Sequence, residues 1–390
     1  MKKIVSIILV VSFICLLNVR SFANTSKGGV GLLPDSSLQL SHNTFSVYLC
    51  EATTGQVLYA NNEFSAASPA SVTKIMTLLL VMEALEGNKY SLDDVVTVSG
   101  KAASMGGSQV FLEEGERITV EELIKSAVIA SGNDASVALA ELTAGSEASF
   151  VKMMNSRAQE LGLKNTNFEN CTGLDDTTVN HYTCAADIAT VSRELIKHDL
   201  ILKYSSIWQD TIRNGEFTLT NTNRLIRYYA GCNGLKTGST DKAGFCISTT
   251  AKRENMQLIA VVMGAETRDI RNTIAKELLD YGFANYALYS QDRKLIEEAD
   301  VLRGVKDSVP LYSEGFSMVL DKAVLPKIEI LYEIPESIVA PLNEGEKVGR
   351  VIYKCDGEQL GYSDIIVGEP IDQISYFGIL LRIVKRIVMG

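Results

Sequence analysis

Ser71 and Lys74 stand three residues apart in Pro69-Ala-Ser-Val-Thr-Lys-Ile-Met76. On a helix that spacing puts both side chains on one face, with Cβ atoms roughly 5 to 6 Å apart, so a hydroxyl can meet an amine. A serine hydroxyl becomes a useful nucleophile when a base removes its proton. An amine can be that base once burial or a neighbouring cation lowers its pKa. Downstream, Ser131-Gly-Asn133 must turn tightly at the end of an apolar helical run, offering a second hydroxyl to relay a proton and a carboxamide to hold an amide. Further on, Gly234-Leu-Lys-Thr-Gly-Ser239 is expected to precede a strand. There Lys236 could depress the Lys74 pKa by like-charge repulsion and attract an anionic group. Thr237 adds a hydroxyl, and Gly238 lets a substrate backbone lie close.

Each fragment taken singly is weak. A second S-x-x-K occurs at Ser149 and Lys152 in surface-helix text, a second S-x-N occurs at Ser41-His-Asn43, and K-T-G alone reads equally as an edge-strand turn with an exposed lysine. What must position the fragments is legible in the pattern around them. Pro69 followed by Ile75, Met76, Leu78, Leu79, Leu80 and Val81 predicts a buried helix beginning at Ser71. Thr44–Leu49 and Gln56–Tyr59, either side of Thr54-Gly55, predict a β-hairpin. Helical text fills Ser71 to about Leu200, and strands return at Glu216–Leu219, Gly244–Thr250 and Gln257–Met263 before a helix over Ile270–Tyr281. Strands at both ends of a helical middle predict one α/β domain whose sheet is assembled from both ends of the segment. Beyond Tyr289, short apolar runs separated by Pro326, Pro335, Pro341, Gly345 and Gly357 predict a small all-β domain without a cluster for chemistry.

Lys2 and Lys3, the apolar run Ile4–Leu17 and Ser21-Phe-Ala23 read as a secretory signal over residues 1–23, with the mature chain starting near Asn24. The full chain carries a net charge of −10, and losing Lys2, Lys3 and Arg20 makes the remainder more acidic. With no basic stripe, nucleic acid is excluded as a partner. Six cysteines remain without C-x-x-C spacing and read mostly as small buried hydrophobes. At the far end, Tyr376–Met389 is too short to span a bilayer. It sets Arg382, Lys385 and Arg386 on one helical face against an apolar remainder, the pattern of a helix lying in a membrane surface. A helix docked on its own domain would show the same pattern.

The ordered set S-x-x-K, S-x-N and K-T-G is a signature of penicillin-recognising serine acyltransferases. Within that group the chain resembles the serine-type D-alanyl-D-alanine carboxypeptidases, the low-molecular-mass penicillin-binding proteins. The resemblance rests on Pro69–Thr77, Ala130–Ala135, Asn167-Phe, Thr172-Gly-Leu174, Gly234–Gly238, Ala243-Gly244 and Asp280–Phe283. It implies a β-lactamase/transpeptidase-like domain over residues 24–288, with an antiparallel sheet, flanking helices and a helical subdomain. A β-rich domain over 289–372 and an amphipathic helix over 373–390 would follow. It implies that Ser71 is the nucleophile, Lys74 the base and Ser131 the proton relay, with Asn133 holding the peptide amide. Lys236 and Thr237, beside Gly238 and helped by Arg271, would bind the terminal carboxylate, and the backbone N–H groups of Ser71 and Ser239 would form the oxyanion hole. The substrate implied is the peptidoglycan pentapeptide stem, with β-lactams as covalent inhibitors, no cofactor and no metal, at the outer face of the cytoplasmic membrane. Cys232 and Asn233 ahead of Gly234, and Cys171 ahead of Thr172, depart from residues common in that family.

Competing chemistries find less support in the sequence. The only histidines are His42, His181 and His198, no G-x-S-x-G elbow or H-E-x-x-H is present, and lysine is left as the base. A β-lactamase would need an added glutamate for deacylation, for which Glu160 and Glu169 stand in the right stretch.

Overall fold

The computed structural model describes residues 38–176 and 178–389, so the secretory signal expected over 1–23 lies outside the described residues. The predicted hairpin is present as β1 (Ser46–Glu51) and β2 (Val57–Asn61), paired antiparallel. A turn of 3-10 helix over Ala70–Thr73 then leads into α1 (Lys74–Glu86). The nucleophile candidate therefore sits in the tight turn ahead of the α-helix rather than on its first turn. Every α1 residue from Lys74 to Met82 is buried, as expected of a helix that is apolar all round.

The helical middle contains α2 (Val120–Val128), α3 (Asn133–Ala144), α4 (Glu147–Glu160) and α5 (Ala185–Leu195). α2 opens on a reciprocal cap in which the Thr119 side chain accepts from the Glu122 N–H and the Glu122 carboxylate accepts from the Thr119 N–H. Two short antiparallel pairs interrupt the helices, Val95–Thr97 with Arg117–Thr119 and Gln209–Ile212 with Phe217–Thr220. The first pair was hidden by its length of three residues a strand.

Three long strands close the first domain: β3 (Cys232–Thr240), β4 (Gly244–Arg253) and β5 (Met256–Ala265). With the hairpin they form a sheet of order β2-β1-β5-β4-β3, antiparallel throughout. The K-T-G residues lie inside β3, paired register by register with β4, and do not precede a strand as expected. Two glycines and a run of polar residues gave that strand the composition of a loop. α6 (Arg268–Asn285) covers one face of the sheet through Ile274, Leu278 and Leu279 against Leu49, Leu258 and Val262. The other face meets α1 and the helical middle in the largest core.

α6 runs directly into β6 (Tyr286–Gln291), followed by β7 (Lys294–Leu302), β8 (Ser308–Ser313), β9 (Phe316–Asp321), β10 (Glu329–Glu333), β11 (Ile338–Val339), β12 (Lys347–Cys355) and β13 (Glu358–Val367). Six of these form a sheet of order β10-β12-β13-β8-β7-β11 around Val309, Leu311, Val351 and Ile365. β6 pairs instead with β9, and Leu288 and Val319 of that pair pack into the core beneath α6. The junction expected between 288 and 289 thus falls within β6. α7 (Tyr376–Met389) ends the chain. Leu79, wholly buried at the centre of α1, gives a direct test of the main core: Leu79→Ala should lose about 2 to 5 kcal/mol in equilibrium denaturation, and a loss within error of zero would show that α1 is not central.

Candidate active site

The Lys74 Nζ lies 3.0 Å from Ser71 Oγ, 2.6 Å from Asn133 Oδ1 and 2.8 Å from the Thr172 carbonyl oxygen. Two of these partners are obligatory acceptors. Asn133 Nδ2 donates to the Gly106 carbonyl at 2.7 Å, which fixes the amide orientation and turns Oδ1 toward the lysine. A neutral amine has two N–H bonds and one lone pair. With both N–H bonds spent on Asn133 and Thr172, the lone pair is left facing the Ser71 hydroxyl, the arrangement a general base needs.

Local backbone makes this possible. Ala70 holds φ +48° and Ser131 φ +66°, left-handed conformations unusual for residues with a Cβ. Gly173, at φ +84°, lies so close beneath the nucleophile that a Cβ there would collide with the Ala70 carbonyl. Neighbouring Cys171 is buried with its thiol 3.4 Å from Glu147 Oε1, and its carbonyl accepts from Thr77 at 2.7 Å. Its thiol is taken up by Glu147 and its backbone helps to fix Thr172. Asp134, which sequence reading passed over, accepts from the N–H groups of Val110 and Leu112 at 3.0 and 3.1 Å. It thereby ties the 106–112 loop to the start of α3. The Ser131 hydroxyl is buried and has no hydrogen-bond partner among the described residues.

β3 forms the facing wall. A Cβ at Gly238 would stand 2.7 Å from Ser71 N and 2.9 Å from Val72 N, so only glycine lets the strand pass this close. Ser239 follows on the exposed rim. Lys236 is buried, with Nζ donating to the Thr237 carbonyl at 2.8 Å, and Thr237 Oγ1 donates to Thr222 Oγ1 at 2.8 Å. Thr222 escaped sequence reading because nothing in Thr220-Asn-Thr-Asn223 distinguishes it from a polar loop. Arg271 is buried on α6 and spends its guanidinium on Asn272 Oδ1 and on the carbonyl of Cys246, the cross-strand partner of Gly238. The structure brings its charge near Lys236 without a hydrogen bond between them.

Burial lowers the Lys74 pKa to about 7, with Cys171 and Asp134 opposing the shift. Repulsion from Lys236 is not among the causes, contrary to the sequence expectation. The repulsion acts on Lys236, which is held well below an ordinary lysine by burial first, then by Lys74 and Arg271. Burial likewise brings Arg271 down to about 10. Among the described residues none of these three basic side chains forms an ion pair with a carboxylate. The cleft is an unneutralised positive site suited to an incoming carboxylate.

The rival candidates lie elsewhere or are occupied. Ser149 and Lys152 are exposed on α4. Glu160 pairs with Arg157 at 2.9 Å, and Glu169 Oε2 accepts from the N–H groups of Val179 and Asn180. His181 is a buttress: Nδ1 accepts from the Glu169 N–H at 3.0 Å, so Nε2 carries the proton and donates to Thr73 Oγ1 at 2.8 Å. Burial lowers its pKa to about 4. Among the described residues the six cysteines are unpaired, and no group of three or more His, Cys, Asp or Glu could hold a metal ion.

Residues 35–267 match the family profile of the D-alanyl-D-alanine carboxypeptidases, peptidase S11, and residues 283–373 match the domain described as penicillin-binding protein 5, C-terminal domain. The D-alanyl-D-alanine carboxypeptidase DacF of Bacillus subtilis is 42% identical over 352 residues, covering 88% of this chain and 90% of its own. Penicillin-binding protein 5 from Haemophilus influenzae superposes with a TM-score of 0.76 at 33% identity, covering 86% of this chain and 99% of that one. Penicillin-binding protein D2 from Listeria monocytogenes, solved in its ampicillin-bound form, gives a TM-score of 0.58 at 29% identity, covering 63% of this chain and all of that one. Similarity of this extent across both domains makes the chain a member of the D-alanyl-D-alanine carboxypeptidase family.

Proposed function

We propose that this chain is a penicillin-sensitive serine D-Ala-D-Ala carboxypeptidase that trims the terminal D-alanine from peptidoglycan pentapeptide stems. The observation that carries the reading is an amine depressed to about 7, 3.0 Å from a serine hydroxyl, across a cleft from the buried Lys236, which has no carboxylate partner. Ser71 Oγ attacks the carbonyl carbon between the two D-alanines while its proton passes to Lys74 Nζ. The backbone N–H groups of Ser71 and Ser239 hold the oxyanion, each such donor being worth about 2.7 to 4 kcal/mol of barrier. The C–N bond breaks as Ser131 relays the proton from Lys74 to the departing amine, and D-alanine leaves. Water then attacks the ester while Lys74 takes its proton, and as the acyl C–O bond breaks that proton passes to Ser71 Oγ, restoring the hydroxyl and the neutral amine. A β-lactam enters by the same attack, its ring amide taking the place of the peptide bond.

Lys236 and Thr237 take the terminal carboxylate, and the charge of Arg271 reinforces the field from one strand behind. Asn133 has a double role in this scheme: Oδ1 orients Lys74, and the second Nδ2 hydrogen remains for the substrate's amide carbonyl. The substrate is a cell-wall polymer, so the enzyme works outside the cytoplasmic membrane. Export by the leader over 1–23 and attachment through α7 serve that location. Among the described residues no helix is long and apolar enough to cross a membrane, and a helix lying in the membrane surface fits the three cations and apolar remainder of α7.

Ser71→Ala should abolish covalent labelling by fluorescent penicillin while leaving the circular dichroism spectrum intact; persistent labelling would place the nucleophile elsewhere. Because Lys74 is neutral above about 7 and charged below it, the second-order acylation rate should rise with pH through neutrality. A rate that is flat between pH 6 and pH 8, or that falls, would remove Lys74 as the base. Gly238→Ala should slow acylation by about 100-fold or more, since its Cβ would push β3 away from the Ser71 N–H. Acylation at the parent rate would mean that this strand does not form the oxyanion hole.

A further inference from the structure

α7 is held to the end of the β-rich domain at two places. Just ahead of it, Gly304 and Gln373 form a bridge, the Val305 N–H donates to the Asp372 carbonyl at 3.0 Å, and the Ile374 N–H donates to the Arg303 carbonyl at 2.8 Å. Two turns into the helix, Arg382 folds back on the same turn. Its guanidinium donates to the carbonyls of Gly304 and Val305 at 3.2 and 3.0 Å and pairs with Asp307 at 2.8 Å. One of the three cations of α7 is thus committed to the domain, and the exposed Lys385 is left for anionic headgroups.

Beside this clamp, exposed apolar side chains stand among the charged Arg303, Lys306 and Asp307. Val305 is half exposed at the tip of the turn, and Leu302 and Val339 are cross-strand partners on β7 and β11, each 51% exposed. Along α7, Tyr376, Phe377, Leu381, Ile387 and Val388 are all more than 60% exposed. These residues add exposed apolar area to that of the helix, and exposed apolar patches mark contact sites.

We infer that this end of the β-rich domain enters the membrane together with α7, as one composite lipid-binding surface whose orientation is fixed by the Arg382 clamp. The occupant is a bilayer carrying anionic lipid. Tyr376–Gly390 holds three cations and no acid, and an interfacial helix sinks its apolar face about 5 to 10 Å into the headgroup boundary, deep enough to carry the adjoining turn with it. Pairing with Asp307 neutralises Arg382 where it would otherwise enter the interface as a bare charge. Lys306 at the same turn is paired with Glu369 at 2.6 Å, while Asp372 stays exposed and marks the rim. This inference rests on the proposed membrane location of α7, and the test separates the two.

The chain has one tryptophan, Trp208, in the first domain. A full-chain Trp208→Phe, Val305→Trp variant, mixed with vesicles of phosphatidylcholine and phosphatidylglycerol carrying brominated acyl chains, should bind, shift its emission to the blue and be quenched. Arg382→Gln in that background should bind nearly as well but lose most of the quenching, because the turn is then no longer held against the helix. Binding without quenching of the indole introduced by Val305→Trp would overturn the composite surface while leaving α7 as an anchor. Failure of the full chain to bind the vesicles at all would overturn the membrane location, and the inference with it.

Discussion

A lysine side chain buried without a carboxylate is the constraint around which this protein is built. An ammonium there would be unpaired in a low-dielectric interior, and the fold meets that cost by letting the proton go: burial brings Lys74 to about 7 from an ordinary 10.5. Between those two values the unfolded chain binds the extra proton, so this residue makes the fold more stable as pH rises from 7 to 10.5 and least stable below that range. What the fold gains is a nitrogen whose two N–H bonds are claimed by Asn133 and Thr172 and whose lone pair faces Ser71. Neither partner is near Lys74 in sequence. Both are fixed by further bonds, Asn133 by Gly106 and the 170–174 loop by the Asn170 carboxamide, which accepts from the Thr172 and Gly173 N–H groups.

The same logic explains the opposite wall. Lys236 and Arg271 are also buried and also lack carboxylates, so the cleft gathers three basic groups whose charged forms repel one another and are favoured by an anion from outside. Such a site is poorly satisfied when empty and favours a ligand with a terminal carboxylate, the group by which a carboxypeptidase tells a chain end from an internal bond. The cost is carried by the two large cores on either side of the sheet, which bury α1 and one side of α6. Tolerating strain at Ala70 and Ser131 follows from the same reserve, because both residues sit between elements whose positions are fixed by packing.

The second domain contributes no side chain to this chemistry. Its link to the first is nonetheless firm at the start, where β6 continues from α6 and its partner strand buries Val319 in the core beneath that helix. At its far end the Arg382 clamp ties the last helix to the β7–β8 turn. The chain thus runs from catalytic cleft to terminal helix through contacts rather than through a free linker.

Much of the site could be read before any coordinates. Ser71, Lys74, Ser131, Asn133 and Lys236 through Ser239 stood out because hydroxyls and amines at those spacings, in that order, have a chemical meaning. The hairpin, the buried α1 and the terminal amphipathic helix followed from the runs and spacing of apolar residues, which are local properties. Tertiary structure alone decided the rest. It put K-T-G inside a strand, since pairing with β4 overrode a loop-like composition. It gave Asn133 to the lysine, recruited Thr172, Asp134 and Thr222, and made His181 a buttress, because hydrogen bonds between residues tens of positions apart leave no trace in local pattern. It also assigned the depressed pKa of Lys74 to burial and moved the charge repulsion to Lys236: sequence shows which groups can titrate, but only packing determines how much water each one loses.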